Sequence, residues 1–586
     1  MNTNIFHDVY QKYNAVQTDD SLMAYQRLVV RYFTENPVKG MLIYHQTGVG
    51  KTRVAVAIAE RLKSDHAIVV IEDKILHTNM ETNIKAYGAD TAGYIFVTRN
   101  SASLTAVWQQ LTLRGKKVLF IFDEVHNFIN SISRGSKSAI YIYDQIRKMP
   151  CRVLCLSGTP AINTPHEFAI LFNMVSDFGK YTMFPENVQE FYRYFVNTRD
   201  NKITNKLKFQ ARVAGYVSYY GDNYFRDSLD TDIRKDSFPL EHPLKVVRIQ
   251  MSPEQLVQYI VARELELEED TRRFRAPAKV GRFASQSASG TYRIRTRQIS
   301  NYVPADTWDK SSPKYVYIRQ QVSDDADAGK KSVVYSSFID IGLLEIANSL
   351  RDIGWVEFGQ PNPDGKFTFA IVSGKVLDEM RAAIIAAYNA AENCSGKTIM
   401  AILVSSVAAQ GIELKCTRAV HIVEFGWNYS LFEQIVARCV RYNSHADLPD
   451  ADRDVQPYIY ITTLPDGTKI GAAKEPDVST DEYMYSRAVD NMKLITTFRL
   501  AIAEASVDCM TFNKSTLLNC MFCKPTNERL YEYDIVADMT YDCPCRQLMP
   551  RRLNVEQITT DGVQYYRDLD TGNLYPVKNA DEQGPV

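Results

Sequence analysis

Along the first third of the chain, apolar residues fall in short runs, and most runs are followed by a stretch with helical periodicity. MLIY at 41–44, AIVVIE at 67–72, GYIFVT at 93–98, VLFIF at 118–122 and RVLCLS at 152–157 are short and rich in branched residues. Strands buried on both faces read this way. Helices are predicted from Thr52, over 103–114 and from Pro165. Repeated strand-then-helix order predicts a parallel sheet wound with helices. The rhythm breaks over 179–325, where 251–269 reads as a helix with Ser252 as N-cap and Pro253 in its first position. Strands SVVYSS, FTFAIVS, TIMAILV, AVHIVEF and YIYITT resume the alternation, and a further helix is predicted over 482–505. The expected fold class is α/β, with a first parallel-sheet lobe at 1–178 and a second at 326–465. Between them lies an inserted, largely helical and basic region at 179–325, and a small C-terminal appendix follows at 466–586.

The chemistry enters where one strand ends. In MLIYHQTGVGKTRVAVAIAERL, strand, glycine-bearing loop and amphipathic helix follow one another. Gly48 and Gly50 allow a tight turn, so the loop amides from Gln46, Thr47 and Val49 onward can face a phosphate chain. Lys51 suits the β/γ-phosphates and Thr52 suits Mg²⁺, and the helix N-terminus adds partial positive charge. The first glycine of the usual pattern is His45 here. Further on, KVLFIFDEVH ends a strand with Asp123 and Glu124, at the edge where open α/β sheets place ligands. Asp123 is the expected Mg²⁺ partner and Glu124 the base for an attacking water. RVLCLSGTP brings Ser157 and Thr159 to the end of another strand, as candidate sensors of the γ-phosphate. Far downstream, Gln434, Arg438 and Arg441 in EQIVARCVR share one helical face. Arginines there are candidate fingers for transition-state charge, supplied by the second lobe.

This order of motifs resembles superfamily 2 helicases and translocases, which hold ATP between two RecA-like lobes; the match spans most of residues 20–465. Tyr25 and Gln26 resemble the adenine-side glutamine element, HQTGVGKT motif I, DEVH motif II and SGTP motif III. VVYSSF resembles motif IV, SSVAAQGIEL with Gly411 and Glu413 motif V, and QIVARCVR motif VI. The resemblance implies ATP and Mg²⁺ as cofactors, nucleotide contact by Gln26, Gly411 and Glu413, and coupling through His126, Ser157 and Thr159. Within the superfamily, DEVHNFI, CLSGTPAINTPHEF and QIVARCVRYNSH are similar to poxvirus-type ATPases of large cytoplasmic DNA viruses. SGTPAINTP and FAIVSGK lean toward the small subunit of the early transcription factor, and HQTGVGKT and RYNSH toward nucleoside triphosphatase I; yeast cytoplasmic linear plasmids encode similar helicase-like proteins. The resemblance implies a cytoplasmic protein, packaged in a virion or not. Its implied partners are DNA or RNA and a viral-type RNA polymerase or transcription factor subunit.

Composition narrows the remaining choices. The chain has 586 residues, 45% hydrophobic and 23% charged, as globular proteins do, with a net charge of −1. Nucleic acid must therefore be bound by local patches. One such strip, 271–298, holds eight Lys or Arg and no acid, with Phe274, Phe283 and Tyr292 interleaved. Arg272, Arg273, Arg275, Lys279 and Arg282 are its candidate phosphate contacts; packing of 292–303 against lobe two is the rival reading. No apolar window is long enough to span a membrane, and the first residues lack the regions of a signal peptide. Ten scattered cysteines suit a reducing compartment. Cys520, Cys523, Cys543 and Cys545 in CMFC and CPC are a candidate structural zinc set, with ordinary reduced thiols as the alternative. Three functions compete: a nucleic-acid-dependent ATPase of transcription elongation, release or termination; an ATP-switched promoter-binding initiation factor; and a strand-separating helicase.

Overall fold

The computed structural model of the protein describes residues 22–72, 74–98, 107, 110–111, 117–177, 181–221, 238–275, 282–283, 293–405, 412–471, 477–509, 519–523, 530–547, 555–560, 563–569 and 574–576. Lobe one is a six-stranded sheet of β1 (Gly40–His45), β2 (His66–Glu72), β3 (Tyr94–Thr98), β4 (Lys117–Phe122), β5 (Arg152–Leu156) and β6 (Val217–Tyr220). Its order is β3-β2-β4-β5-β1-β6, with every pairing parallel. Helices α1 (Ala24–Glu35) and α2 (Lys51–Leu62) pack on the face that carries Met41 and Ile43. Helices α3 (His126–Ser133) and α4 (His166–Val175) pack on the face that carries Leu42 and Tyr44. Alternate residues of one strand thus enter two cores, which is why these strands read as unbroken apolar runs.

Lobe two repeats the plan. Its strands are β7 (Lys245–Gln250), β8 (Lys331–Ser336), β9 (Val356–Glu357), β10 (Thr368–Val372), β11 (Ala401–Ser405), β12 (Thr417–Ile422) and β13 (Asp454–Thr463). The order is β9-β10-β11-β8-β12-β13-β7, again parallel throughout. Around it lie α5 (Pro253–Arg275), α6 (Ile294–Asn301), α7 (Pro313–Asp327) and α8 (Tyr429–Cys439). Ser252 caps α5 as expected, its Oγ accepting the Gln255 N–H at 3.1 Å.

The segment read as an insertion at 179–325 is divided between the lobes. Val217–Tyr220 adds a strand to lobe one beside β1, and Lys245–Gln250 adds the edge strand of lobe two. Neither announces itself in sequence. VSYY is too short, and KVVRIQ alternates as an edge strand does.

The predicted helix at 482–505 is α9 (Thr480–Glu504), started by a capping box between Ser479 and Glu482. It belongs to both lobes. At its start, Asp481 pairs with Lys314 of α7 at 2.7 Å, both nearly inaccessible. Toward its end, Leu494, Ile495, Phe498, Ala501 and Ile502 are core residues of lobe one. The appendix beyond docks on lobe one through Asp538, whose carboxylate meets the Arg212 guanidinium at 2.9 Å with both side chains fully buried. Arg212 also donates to the carbonyls of Met183 and Glu532, so the buried cation is satisfied on three sides. Among the described residues no helix is long and apolar enough to cross a membrane.

The zinc reading is corrected. Met521–Cys523 and Cys545–Gln547 form a two-stranded antiparallel ribbon that sets Cys523 opposite Cys545. Cys520 is disulfide-bonded to Cys509, with Cα atoms 5.9 Å apart, and Cys545 is also disulfide-bonded. Cys543 is a free thiol. A sulfur committed to a disulfide offers no thiolate, so these residues do not present four metal ligands. Cys394 and Cys416 are a second bonded pair, with Cα atoms 5.3 Å apart, so the ten cysteines are not all reduced thiols.

Candidate nucleotide site between the lobes

The loop between β1 and α2 turns on Gly48 and Gly50, at φ 88° and 85°, a left-handed region that costs glycine little. A Cβ at Gly50 would lie 2.6 Å from Gln26 Nε2, so the second glycine is also a matter of space. Tyr25 and Gln26 hold this loop from α1. The Tyr25 hydroxyl donates to Val49 O at 2.5 Å and Gln26 Nε2 to the same oxygen at 3.2 Å. Tyr25 stacks on Tyr220 at the end of β6, with ring centroids 3.7 Å apart and planes within 6°. Lys51 is buried and donates to Gln46 O at 3.3 Å. Burial pulls its ammonium below the ordinary lysine range, and the nearby Glu124 and Asp123 carboxylates work against that.

The two acids follow β4. Asp123 Oδ1 accepts the Glu124 N–H at 2.9 Å, and Glu124 itself sits at φ 45°. That backbone is strained for a residue with a Cβ, and strain of this kind collects at functional sites. Burial, then the neighbouring Glu124 charge, raise the Asp123 carboxyl. Burial opposes charge on Glu124 too, but His126, Lys51, Arg438 and Arg441 outweigh it and hold that carboxyl low. Glu124 Oε2 lies 3.4 Å from His126 Nδ1.

Motifs far apart in sequence meet here. His126 Nδ1 is 2.9 Å from Ser157 Oγ, which accepts the Thr159 N–H at 3.0 Å. From α8 of the other lobe, Gln434 Nε2 reaches His126 Nε2 and Thr159 Oγ1, each at 3.1 Å. Arg441 packs on the phosphate loop; a Cβ at Gly48 would meet its Cγ at 3.6 Å. Arg438 lies in the field of Glu124 and Asp123, and burial, with Arg441 close by, lowers its guanidinium to about 10. Glu413 lies near enough to Arg441 to support its charge, while Gly411 lies outside the described residues. A cavity of about 510 Å³ opens beside the loop, lined by Gln46, Thr47, Gly158, Thr159 and Gln434.

One contributor to this interface carried no sequence signal. Arg499 of α9 holds Glu433 at 3.1 Å and donates to Ala161 O and Ser430 Oγ, each at 3.2 Å. It ties motif III to motif VI, but its helix lies in the appendix, outside every motif.

The basic strip behaves differently. Arg282 is held by Asp144 at 2.8 Å and Glu186 at 2.6 Å, and Phe283 is a core residue of lobe one. Arg282 thus already pairs with two carboxylates, although its side chain stays 43% exposed. α6 packs on lobe two, with the Thr296 hydroxyl donating to Glu266 at 2.8 Å and Asn301 to Glu424 at 3.0 Å, as the rival reading expects. Lys279 and the side chains of Arg272, Arg273 and Arg275 lie outside the described residues.

Comparison with known proteins fits this geometry. Residues 19–162 match the family model for the type III restriction enzyme res subunit, and residues 314–443 match the helicase conserved C-terminal domain. The chain is 27% identical to a termination factor NPH-I homolog of African swine fever virus, over 97% of this chain and 92% of that protein. It is 26% identical to a protein of Acanthamoeba polyphaga mimivirus named by inference as an ATP-dependent RNA helicase, over 84% and 90%. With an inferred helicase of Invertebrate iridescent virus 3 it shares 25% identity, over 90% of this chain and 56% of that one. The two matched models fall one on each lobe, on either side of a cleft that gathers the loop, the acids and the arginines. The chain carries the two matched domains of an ATP-hydrolysing, helicase-like enzyme, one on each lobe.

Proposed function

We propose that this chain is a DNA-dependent ATPase that couples ATP hydrolysis to movement on DNA during transcription by a cytoplasmic DNA virus, with termination or transcript release as its step. The observation that carries this is Gln434 of α8, hydrogen-bonded at once to His126 after β4 and Thr159 after β5. A contact of that kind makes the distance between lobes depend on what the nucleotide site holds. The names of the African swine fever virus relatives support the termination step.

Roles follow from position. Lys51 and the loop amides hold the phosphates, and Tyr25 and Gln26 fix the loop on its adenine side. Thr52 and Asp123 are hard oxygen donors, and a dication fits them: burial and the adjacent Glu124 charge raise the Asp123 carboxyl, so added positive charge there would favour its ionised form. A Mg²⁺ held by Thr52 and Asp123 would supply positive charge against the phosphates. Glu124, kept ionised, orients and deprotonates the water, and Arg438 and Arg441 meet the charge that develops on the γ-phosphate. His126, Ser157, Thr159 and Gln434 relay phosphate release into lobe spacing.

Steady-state ATPase with no nucleic acid, single-stranded DNA, duplex DNA or RNA tests the reading. Stimulation by DNA is expected, with duplex at least as effective as single strands. Stimulation by RNA alone, or by none of them, overturns it; the second result points to a factor gated by a partner protein.

A further inference from the structure

The residue at the head of the phosphate loop is a fully buried histidine where the usual pattern has glycine. His45 Nε2 lies 2.7 Å from Ser218 Oγ on the adjacent strand β6. Ser218 donates to Asp508 Oδ2 at 2.5 Å, and Asp508 Oδ1 accepts the Tyr219 N–H at 2.9 Å. All three side chains are fully buried. A carboxylate only accepts, so the Ser218 proton turns toward Asp508 and its lone pair toward the histidine. His45 therefore carries its proton on Nε2. Burial, with the Lys51 charge nearby, keeps the ring neutral, down to about 3.

Asp508 comes from beyond α9, the helix that crosses from lobe two. Its segment is fixed beside β6 by the Val507 N–H, which donates to Val217 O at 2.9 Å. At the other end of the relay, His45 is the last residue of β1. The next residue, Gln46, donates its N–H to Tyr220 O at 2.8 Å and accepts from Lys51 Nζ. The ring, Gln46 and Lys51 are thus set by one strand end.

We propose that Asp508 is a positioning residue for ATP binding, acting through Ser218 on His45 to fix where the phosphate loop leaves the sheet. Glycine at that point lets a loop bend to its ligand. Here a tethered ring holds the loop in place, and the tether is anchored in the appendix. The relay makes the segment after α9 part of the nucleotide site, without touching nucleotide.

The test uses the full chain, a fluorescent ATP analogue and no nucleic acid, so it reads independently of the motor hypothesis. Asp508→Asn keeps the Tyr219 contact through its carbonyl and presents an N–H to Ser218. That reverses the hydrogen bond between position 508 and Ser218, and a Ser218 hydroxyl that no longer donates there can donate to His45 Nε2, shifting the ring toward the Nδ1–H tautomer. Nucleotide affinity should fall about tenfold. Imidazole ¹⁵N resonances should report the tautomer change, with the His45 signal assigned by its loss in His45→Gly. His45→Gly restores the common loop pattern and should nonetheless weaken binding by a similar factor. Binding within twofold of the parent in either folded variant overturns the proposal. Weaker binding with a lowered melting temperature and an unchanged tautomer in Asp508→Asn also overturns it, because the residue then serves folding alone. If Asp508→Asn does not fold, His45→Gly still decides.

Discussion

One fully buried strand in each lobe starts alike and finishes differently. β1 and β8 are both buried along their whole length between two parallel neighbours. β1 leads into a loop with two left-handed glycines and a lysine. β8 leads into Ser336 and Ser337, and a protein carboxylate takes their donors. Glu424, just past β12, accepts the Ser336 hydroxyl at 3.0 Å, the Ser337 N–H, and Asn301 Nδ2 at 3.0 Å. An internal anion sits at the end of this strand, and its burial raises the Glu424 carboxyl. One topology therefore supports two uses. In lobe one the strand end is built for an external phosphate, and in lobe two the same place is closed from within, so this lobe contributes arginines instead.

The sharpest way to break this comparison is to disable lobe one. Lys51→Ala should lower kcat/KM by about a thousandfold or more. Glu124→Gln should retain nucleotide binding and lose turnover by about a thousandfold, read by equilibrium binding beside steady-state hydrolysis. Normal turnover in Glu124→Gln would remove it as the base. Arg441→Ala tests the contribution of lobe two and should cut kcat by about 10³ while leaving nucleotide affinity closer to the parent value. An equal loss in both parameters would make it a ground-state contact.

Glu424→Ala removes the internal anion. It should destabilise lobe two by roughly 3 kcal/mol, because it leaves a buried amide and two polar side chains short of an acceptor. Thermal unfolding checks this, and a second bound ATP in the variant would show that closure alone silences the site.

A smaller effect concerns pH. Burial raises Asp508 to about 6 from 3.8, above its unfolded value. Its stabilising contribution is thus present below about 4 and is lost as pH rises through 6. Buried His45, lowered to about 3, slopes the other way, since the unfolded state takes up its proton first as pH falls. Comparing Asp508→Asn with the parent isolates the aspartate: the difference in unfolding free energy should change between pH 4 and 6 and be flat above 7. Smallest of all, Arg282→Ala should cost under ~1 kcal/mol, because the guanidinium is 43% exposed and its pairs are screened. The salt dependence of DNA binding should be unchanged; a flattened salt slope would return Arg282 to the nucleic-acid surface.

Much of this protein was legible in local pattern. Unbroken apolar runs located the strands of both lobes, since a strand covered on two faces must be apolar at every position. The glycines, Lys51, Asp123 and Glu124 were readable because they sit on single turns at strand ends, where spacing and geometry are nearly the same thing. The helical spacing of Gln434 and Arg438 was equally plain, but the helix ends at Cys439, so Arg441 reaches the loop from beyond it and not from its face. Local pattern misjudged the edges. VSYY and KVVRIQ joined the lobes they adjoin, because a short or half-exposed strand is defined by its neighbour. It also missed the partners of Arg282 and of the CMFC–CPC cysteines, which include Asp144, Glu186 and Cys509.

The sequence by itself determined the element types, the two-lobe plan and the phosphate-handling chemistry, because each rests on periodicity or on residues a few positions apart. Only the tertiary structure decided which groups face one another across the cleft. It set Gln434 between His126 and Thr159, Arg441 against Gly48, Glu424 under Ser337 and Asp508 behind His45. These contacts join segments hundreds of residues apart, and their partners are chosen by how sheets and helices pack, which no local spacing encodes.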